Sequence, residues 1–172
     1  MPEEQNIQFP PSPFAKYRGE LALGSSVVDC YVLDTGERVI SLRAVVKSLT
    51  DVDGSALEEY IGVRALKPFI DSNLVLEELI EFNLPGRKEG SQFGSAKGMI
   101  AERFLDICRA YVSALSQDAL TDEPSLTQRQ KEIAVKANIL LASCAKVGLI
   151  ALIDEATGYQ YEREEDALPH AA

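Results

Sequence analysis

Gly86, Gly90, Gly94 and Gly98 recur every four residues, and Arg87, Lys88 and Lys97 stand among them. A glycine-rich approach to a helix start is a setting in which free backbone N–H groups hold a phosphate. The two phosphate fingerprints nevertheless fail, because neither Gly-Lys-[Ser/Thr] nor the dinucleotide glycine pattern occurs. The ordinary reading of 83–95 is a flexible loop that ends in a helix N-cap. The chemical reading is an anion or nucleic-acid contact.

Other reactive residue types are sparse. The single histidine is His170, beside the end of the chain. A compact core without histidine has no imidazole for a nucleophile–base pair or a metal site. Cys30, Cys108 and Cys144 are far apart and lack Cys-x-x-Cys spacing, so a zinc ribbon or redox pair is not expected. Cys108 and Cys144 fall on apolar helix faces and read as buried thiols. Asp154 and Glu155 are adjacent, so in regular structure they diverge and do not flank one bond. The expectation is a protein that is not an enzyme, with no catalytic residue, cofactor or metal.

Charge suggests surfaces instead. The net charge is −10, which disfavours attraction of the whole molecule to nucleic-acid phosphates. Yet 125–148 carries Arg129, Lys131, Lys136 and Lys146 against Glu132 alone, while 51–81 carries eight acids against Arg64 and Lys67. The two stretches either face each other or present two separate surfaces. Candidate nucleic-acid contacts are Arg87, Lys88, Lys97, Arg129, Lys131 and Lys136. A candidate acidic partner face is Asp51, Asp53, Glu58, Glu59, Glu77, Glu78 and Glu81.

These residues need elements to hold them. The 172 residues, 46% apolar with 11 Gly and 8 Pro, suffice for one domain with a real core. Residues 1–16, rich in proline, read as an extended arm, with Phe9 and Phe14 free to dock. Residues 17–168 read as a single α+β domain, mainly α, and 169–172 as a tail. Alternation predicts strands at 20–23, 27–33 and 38–40, with a hairpin turn at Asp34-Thr35-Gly36. Ser41 caps a helix over 42–49. Helical turns follow at 55–60, 64–70 and 74–81.

Two long helices make the expected core, packed as an antiparallel pair. In 96–116, Ile100, Phe104, Ile107, Cys108, Tyr111 and Leu115 form one stripe. In 126–147, Thr127 and Gln130 fit a capping box, and Ile133, Ala137, Leu140, Leu141, Cys144 and Val147 share a face. Gly148 reads as the stop. Val135, Ile139 and Ala142 lie opposite that face, so this helix is either central or shared with a second copy, as a homodimer. Strand and helix both fit 149–153. A turn is expected at 154–159, with Gly158 left-handed, followed by an acidic end at 162–166. No apolar run reaches the length of about 18 residues that a bilayer span requires, and Met1 to Gln5 is acidic, unlike a leader.

Three stretches carry a resemblance. They are Gly19-Glu20-Leu21 with Cys30 to Ser41, Thr127 to Ala134, and Gly148-Leu149-Ile150-Ala151-Leu152-Ile153-Asp154-Glu155-Ala156-Thr157-Gly158-Tyr159-Gln160. Together they resemble phage- and prophage-type regulatory proteins bearing the carboxy-terminal domain called P-sixty-three-C, which accompanies KilA-N and Bro-N modules. The similarity spans roughly 19–168. It implies DNA-linked regulation in the cytoplasm of a bacterial host, and carries over no catalytic residue. It also implies relatives that continue past Gln160, whereas this chain stops at Ala172.

The functional expectation is therefore a non-catalytic regulatory module that binds nucleic acid or a DNA-bound regulator. The alternative is an acidic interaction or inhibitor protein that occupies a basic surface of a host nucleic-acid-handling complex.

Overall fold

In a computed structural model that describes residues 12–23, 25–85 and 94–162, the chain is mixed α+β. The first strands form an antiparallel meander, β1 (Ala15–Leu23), β2 (Ser26–Leu33) and β3 (Arg38–Ser41). Gly36 sits at φ +90° in the β2–β3 turn, where its N–H donates to the Leu33 carbonyl at 2.9 Å. A residue with a Cβ rarely takes that conformation. The chain then enters α1 (Leu42–Thr50) with the Ser41 hydroxyl accepting from the Ala44 N–H at 3.1 Å, as its position before an apolar run predicts.

After α2 (Glu58–Ile61), a single 3-10 turn at Arg64–Leu66 and α3 (Ser72–Glu77), the structure departs from the sequence pattern. The helical turn expected over 74–81 stops at Glu77, and Ile80–Asn83 is a strand, β4. The helix expected from 96 begins at Ala101, because Ser95–Ile100 is a strand, β5. This strand lies between β3 and β4, giving the antiparallel order β1-β2-β3-β5-β4. Ser95, Ala96, Lys97 and Gly98 are poor strand formers by themselves; the two neighbours' open edges supply the hydrogen bonds that override that preference. Gly98 is the tight point of the insertion. A Cβ there would stand 2.9 Å from the Ile40 carbonyl oxygen and 3.0 Å from the Phe82 ring.

The expected arm is shorter than its prolines suggest. The Pro13 carbonyl accepts from the Asn83 N–H, and the Phe14 N–H donates to Asp34, each at 2.9 Å. Ala15 already belongs to β1. Phe9 and the tail at 169–172 lie outside the described residues, as does most of the acidic end at 162–166.

Neighbouring residues on β3 point to opposite faces of the sheet. Val39 joins a small cluster with Ala15, Leu33, Phe82 and Leu84. Ile40 and its partner Met99 join the main core. There they meet Val45 and Leu49 of α1, then Phe104, Ile107, Cys108 and Tyr111 of α4 (Ala101–Asp118), and Ile133, Ala134, Ala137 and Leu140 of α5 (Gln128–Thr157). Each large apolar side chain so buried contributes roughly 1.5–3 kcal/mol. Burial lifts the Cys108 thiol to about 12, with Cys144 a smaller cause. The buried thiol expected at Cys108 is therefore present, while Cys144 is only partly covered.

The α4–α5 connection is fastened by one carboxylate. Asp118 accepts from the Ser125 and Leu126 N–H groups and the Ser125 hydroxyl, which holds it below the usual carboxylate range. The Thr127–Gln130 capping box then starts α5 with both reciprocal bonds made. Its expected stop at Gly148 is overrun by nearly three turns. Gly148 stays helical in open space, the 149–153 stretch is helix, and the left-handed cap falls to Gly158 at φ +78°.

Candidate contact surface

The basic start of α5 and the acidic segment after α1 meet each other. Lys136 forms an ion pair with Asp51, and the Arg129 guanidinium donates to the Thr50 carbonyl at 2.6 Å. Arg129 also lies 3.8 Å from Glu132 one turn along its own helix. Lys47 closes the same corner, donating to the Asp51 carbonyl at 3.0 Å and standing 3.3 Å from Asp53. Asp51 occupies the left-handed C-cap of α1 at φ +61°, which aims its side chain across to α5. The hydrogen bond from Lys136 and its charge hold the Asp51 carboxyl below its usual range. Lys131 is half-buried further up α5, on the side of the Asp118 fastening.

Lys97 lies elsewhere. It is exposed on β5, opposite Glu81 of β4 in the strand register. A groove of about 600 Å³ brings it together with Arg43 of α1, along with Asp29, Ser41 and Ser95. Arg43 gives no signal in the sequence, since it is one cation in the first turn of an amphipathic helix. Arg87 and Lys88 lie outside the described residues. The nucleic-acid candidates that can be placed thus divide between a neutralised helix corner and a strand.

The acidic candidates divide as well. Asp51 and Asp53 are engaged at the α1–α5 corner. Glu78 takes a two-pronged contact from Arg103, which also reaches Asp106 at 3.1 Å. That guanidinium keeps the Glu78 carboxyl low. Arg103 and Asp106 border a cleft of about 300 Å³ against Phe69, Leu74 and Val75. Glu58 and Glu59 occupy the first turn of α2, Glu77 ends α3, and all three are exposed.

The largest departure from the charge-based reading is apolar. Past Cys144, α5 exposes Val147, Leu149, Ile150, Leu152 and Ile153. Asp154 is buried there and Glu155 exposed, so the adjacent acids do diverge. By length and composition alone α5 is a helix able to cross a membrane, with a mean hydropathy of 1.7 over its most apolar 18 residues. Lys136 and Lys146 interrupt the apolar runs, so counting consecutive residues missed it. Among the described residues, no group of three or more His, Cys, Asp or Glu side chains is placed to hold a metal ion. Comparison of the chain with protein-family models, curated proteins and solved structures finds no match.

Proposed function

We propose that this chain is a non-catalytic regulatory module of the phage type, which reaches DNA through a protein already bound there. One observation carries the choice of protein over nucleic acid. The cations best placed by sequence to grip phosphates are spent internally, Lys136 on Asp51 and Arg129 on the Thr50 carbonyl. What remains outside is a net charge of −10, an apolar helix end, and Lys97 with Arg43 in a groove that also holds Asp29 and faces Glu81 across the strand register. Phosphate contact needs unopposed cations whose binding releases counterions, whereas protein contact is favoured by exposed apolar surface. The resemblance to DNA-linked regulators supplies the setting.

The alternative, an acidic protein occupying a basic host surface, draws support from Glu58, Glu59 and Glu77, which are exposed. It loses Asp51, Asp53 and Glu78 to internal partners, so the protein-mediated reading is preferred.

The test is retention on immobilised DNA at low salt, with and without bacterial extract. Retention is expected only with extract. A salt-sensitive gel shift by the purified chain alone would replace the proposal with direct nucleic-acid binding. Retention in neither condition, together with capture by a basic host complex that Glu58→Lys with Glu59→Lys abolishes, would favour the acidic alternative.

A further inference from the structure

β3 is the shortest strand in the interior of the sheet, and its two neighbours outrun it. Its pairing with β2 ends at Cys30 opposite Ile40, and with β5 at Gly98 opposite Ser41, where the chain turns into α1. Residues 26–29 of β2 and 95–97 of β5 project past that point. Each is paired on its outer side alone, by β1 and β4. Two strands that flank a missing one stand about 10 Å apart. α1 turns Leu42, Val45, Val46 and Leu49 into the core. The groove of about 600 Å³ stays open over its first turn, bordered by Asp29, Ser41, Arg43, Leu84, Ser95 and Lys97.

The walls of this groove carry open strand edges. The Leu33 N–H donates to the Glu37 carbonyl on the β3 side of β2, and backbone groups alternate sides along an antiparallel strand. Val27 therefore turns its N–H and C=O toward the gap. Just before β5, the Gly94 carbonyl accepts from the Leu84 N–H on the β4 side, so Ser95 turns its own groups the other way, into the gap. Among the described residues neither edge has a backbone partner there. Open edges of this kind are templates for a further strand. We infer that the gap beyond β3 is a peptide-binding slot. It takes a short extended segment of a partner protein as a strand between β2 and β5, with an acidic side chain beside Arg43 and Lys97. Main-chain bonds to both edges hold the segment, as in strand addition. The projecting part of β2 sets its length at about four residues, or about 13 Å.

Charge selects this occupant. Arg43 and Lys97 take part in no ion pair among the described residues. Asp29 borders the same groove, and Glu81 stands beside Lys97 in the β4 register. A nucleic-acid backbone carries a negative charge on every nucleotide, so it would meet these acids as well as the cations. An extended peptide presents single side chains to alternate sides. It sets one acid against Arg43 and Lys97 and leaves Asp29 an uncharged neighbour. Leu84 and Ala96 border the groove too, which favours an apolar residue next to the acid. As the contact that holds a DNA-bound partner, the slot rests on the function proposed above; as a peptide site it does not.

The experiment uses the purified full chain and a fluorescein-labelled hexapeptide that alternates valine with glutamate. Anisotropy is read without DNA or extract, so the slot stands or falls separately from retention on DNA. Saturable binding at low salt is expected. Methylation of alternate peptide nitrogens should weaken it roughly tenfold, because main-chain hydrogen bonds are lost. Arg43→Glu with Lys97→Glu should also weaken it roughly tenfold, and this variant should take the valine–lysine counterpart instead. Both side chains are exposed, so circular dichroism should show the variant folded; Arg43→Gln with Lys97→Gln should give the same loss without reversing any charge. Amide resonances that shift on binding should centre on 26–29 and 95–97. Absence of binding would overturn the inference, as would binding indifferent to nitrogen methylation or to both double variants, or shifts centred elsewhere. Tighter binding of a single-stranded oligonucleotide than of the peptide at these residues would assign the groove to phosphates and overturn it too.

Discussion

The two halves of α5 make a controlled comparison within one helix. Both are apolar and both are continuous helix, yet the half from Gln128 to about Cys144 is locked between α4, α1 and the sheet, while the half from Ala145 to Thr157 is largely bare. Helix formation is therefore not what separates them. What differs is whether other elements reach the apolar side chains. The first half is fixed at its start by the capping box and at its flank by the Asp51–Lys136 pair. The second half has its own left-handed cap at Gly158 and no comparable cover among the described residues. A helix this apolar gains most of its stability from packing, and the bare half lacks that packing among the described residues.

The comparison breaks most visibly under truncation. Ile133→Ala, at a core position, should cost about 2–5 kcal/mol. Leu152→Ala on the bare half should change the stability of the monomer by less than about 0.5 kcal/mol. Denaturant midpoints at low protein concentration would show this, and equal losses would mean the second half is covered after all. Hydrogen exchange should sharpen the same contrast. Amides of 133–144 should open only with the whole fold, and those of 147–156 much sooner.

A smaller effect is expected at Gly148. A glycine inside a helix costs about 1 kcal/mol relative to alanine, and a Cβ there would meet nothing within 4 Å. Gly148→Ala should therefore stabilise α5 by up to about that amount, read as a raised thermal midpoint. A loss of stability would mean that the helix must bend or break there.

The smallest effect concerns acid. Asp51, held low chiefly by its hydrogen bond from Lys136, and Asp118, held low by two backbone N–H groups, have folded values below their unfolded ones. Each thus contributes stability that is present above the ordinary carboxylate range and lost as pH falls through the lowered folded value. Stability should decline below about pH 4, and Asp51→Asn should flatten part of that decline. Asp51 is exposed, so the change should be slight. An unaltered acid profile in both Asp51→Asn and Asp118→Asn would show that these contacts carry no net weight.

How much of this was readable in advance depended on distance along the chain. The Ser41 cap, the Gly36 turn and the Thr127–Gln130 box were legible because donor and acceptor lie within four residues. The strands β4 and β5 were not. Their residues look helical or loop-like locally, and β5 takes its hydrogen bonds from β3, more than fifty residues earlier. Gly98 illustrates the trap. Counted with Gly86, Gly90 and Gly94 it suggested a mobile, phosphate-ready loop. In the fold it is a spacer that admits the Ile40 carbonyl and the Phe82 ring. Of the candidate contacts, the charge blocks were visible, but their mutual neutralisation was open until Lys136 and Asp51, 85 residues apart, were placed together.

Composition and periodicity alone determined that this chain has a mixed α+β fold, that two amphipathic helices dominate it, and where α1 and α5 begin. Those properties follow from short-range sterics and hydrogen bonding. Only the tertiary structure decided which apolar face of α5 is covered, where that helix ends and which charges remain free. A helix presents its side chains on all sides, and burial or pairing depends on what distant segments bring to each side. The division of α5 into a covered half and a bare half therefore comes from the packing.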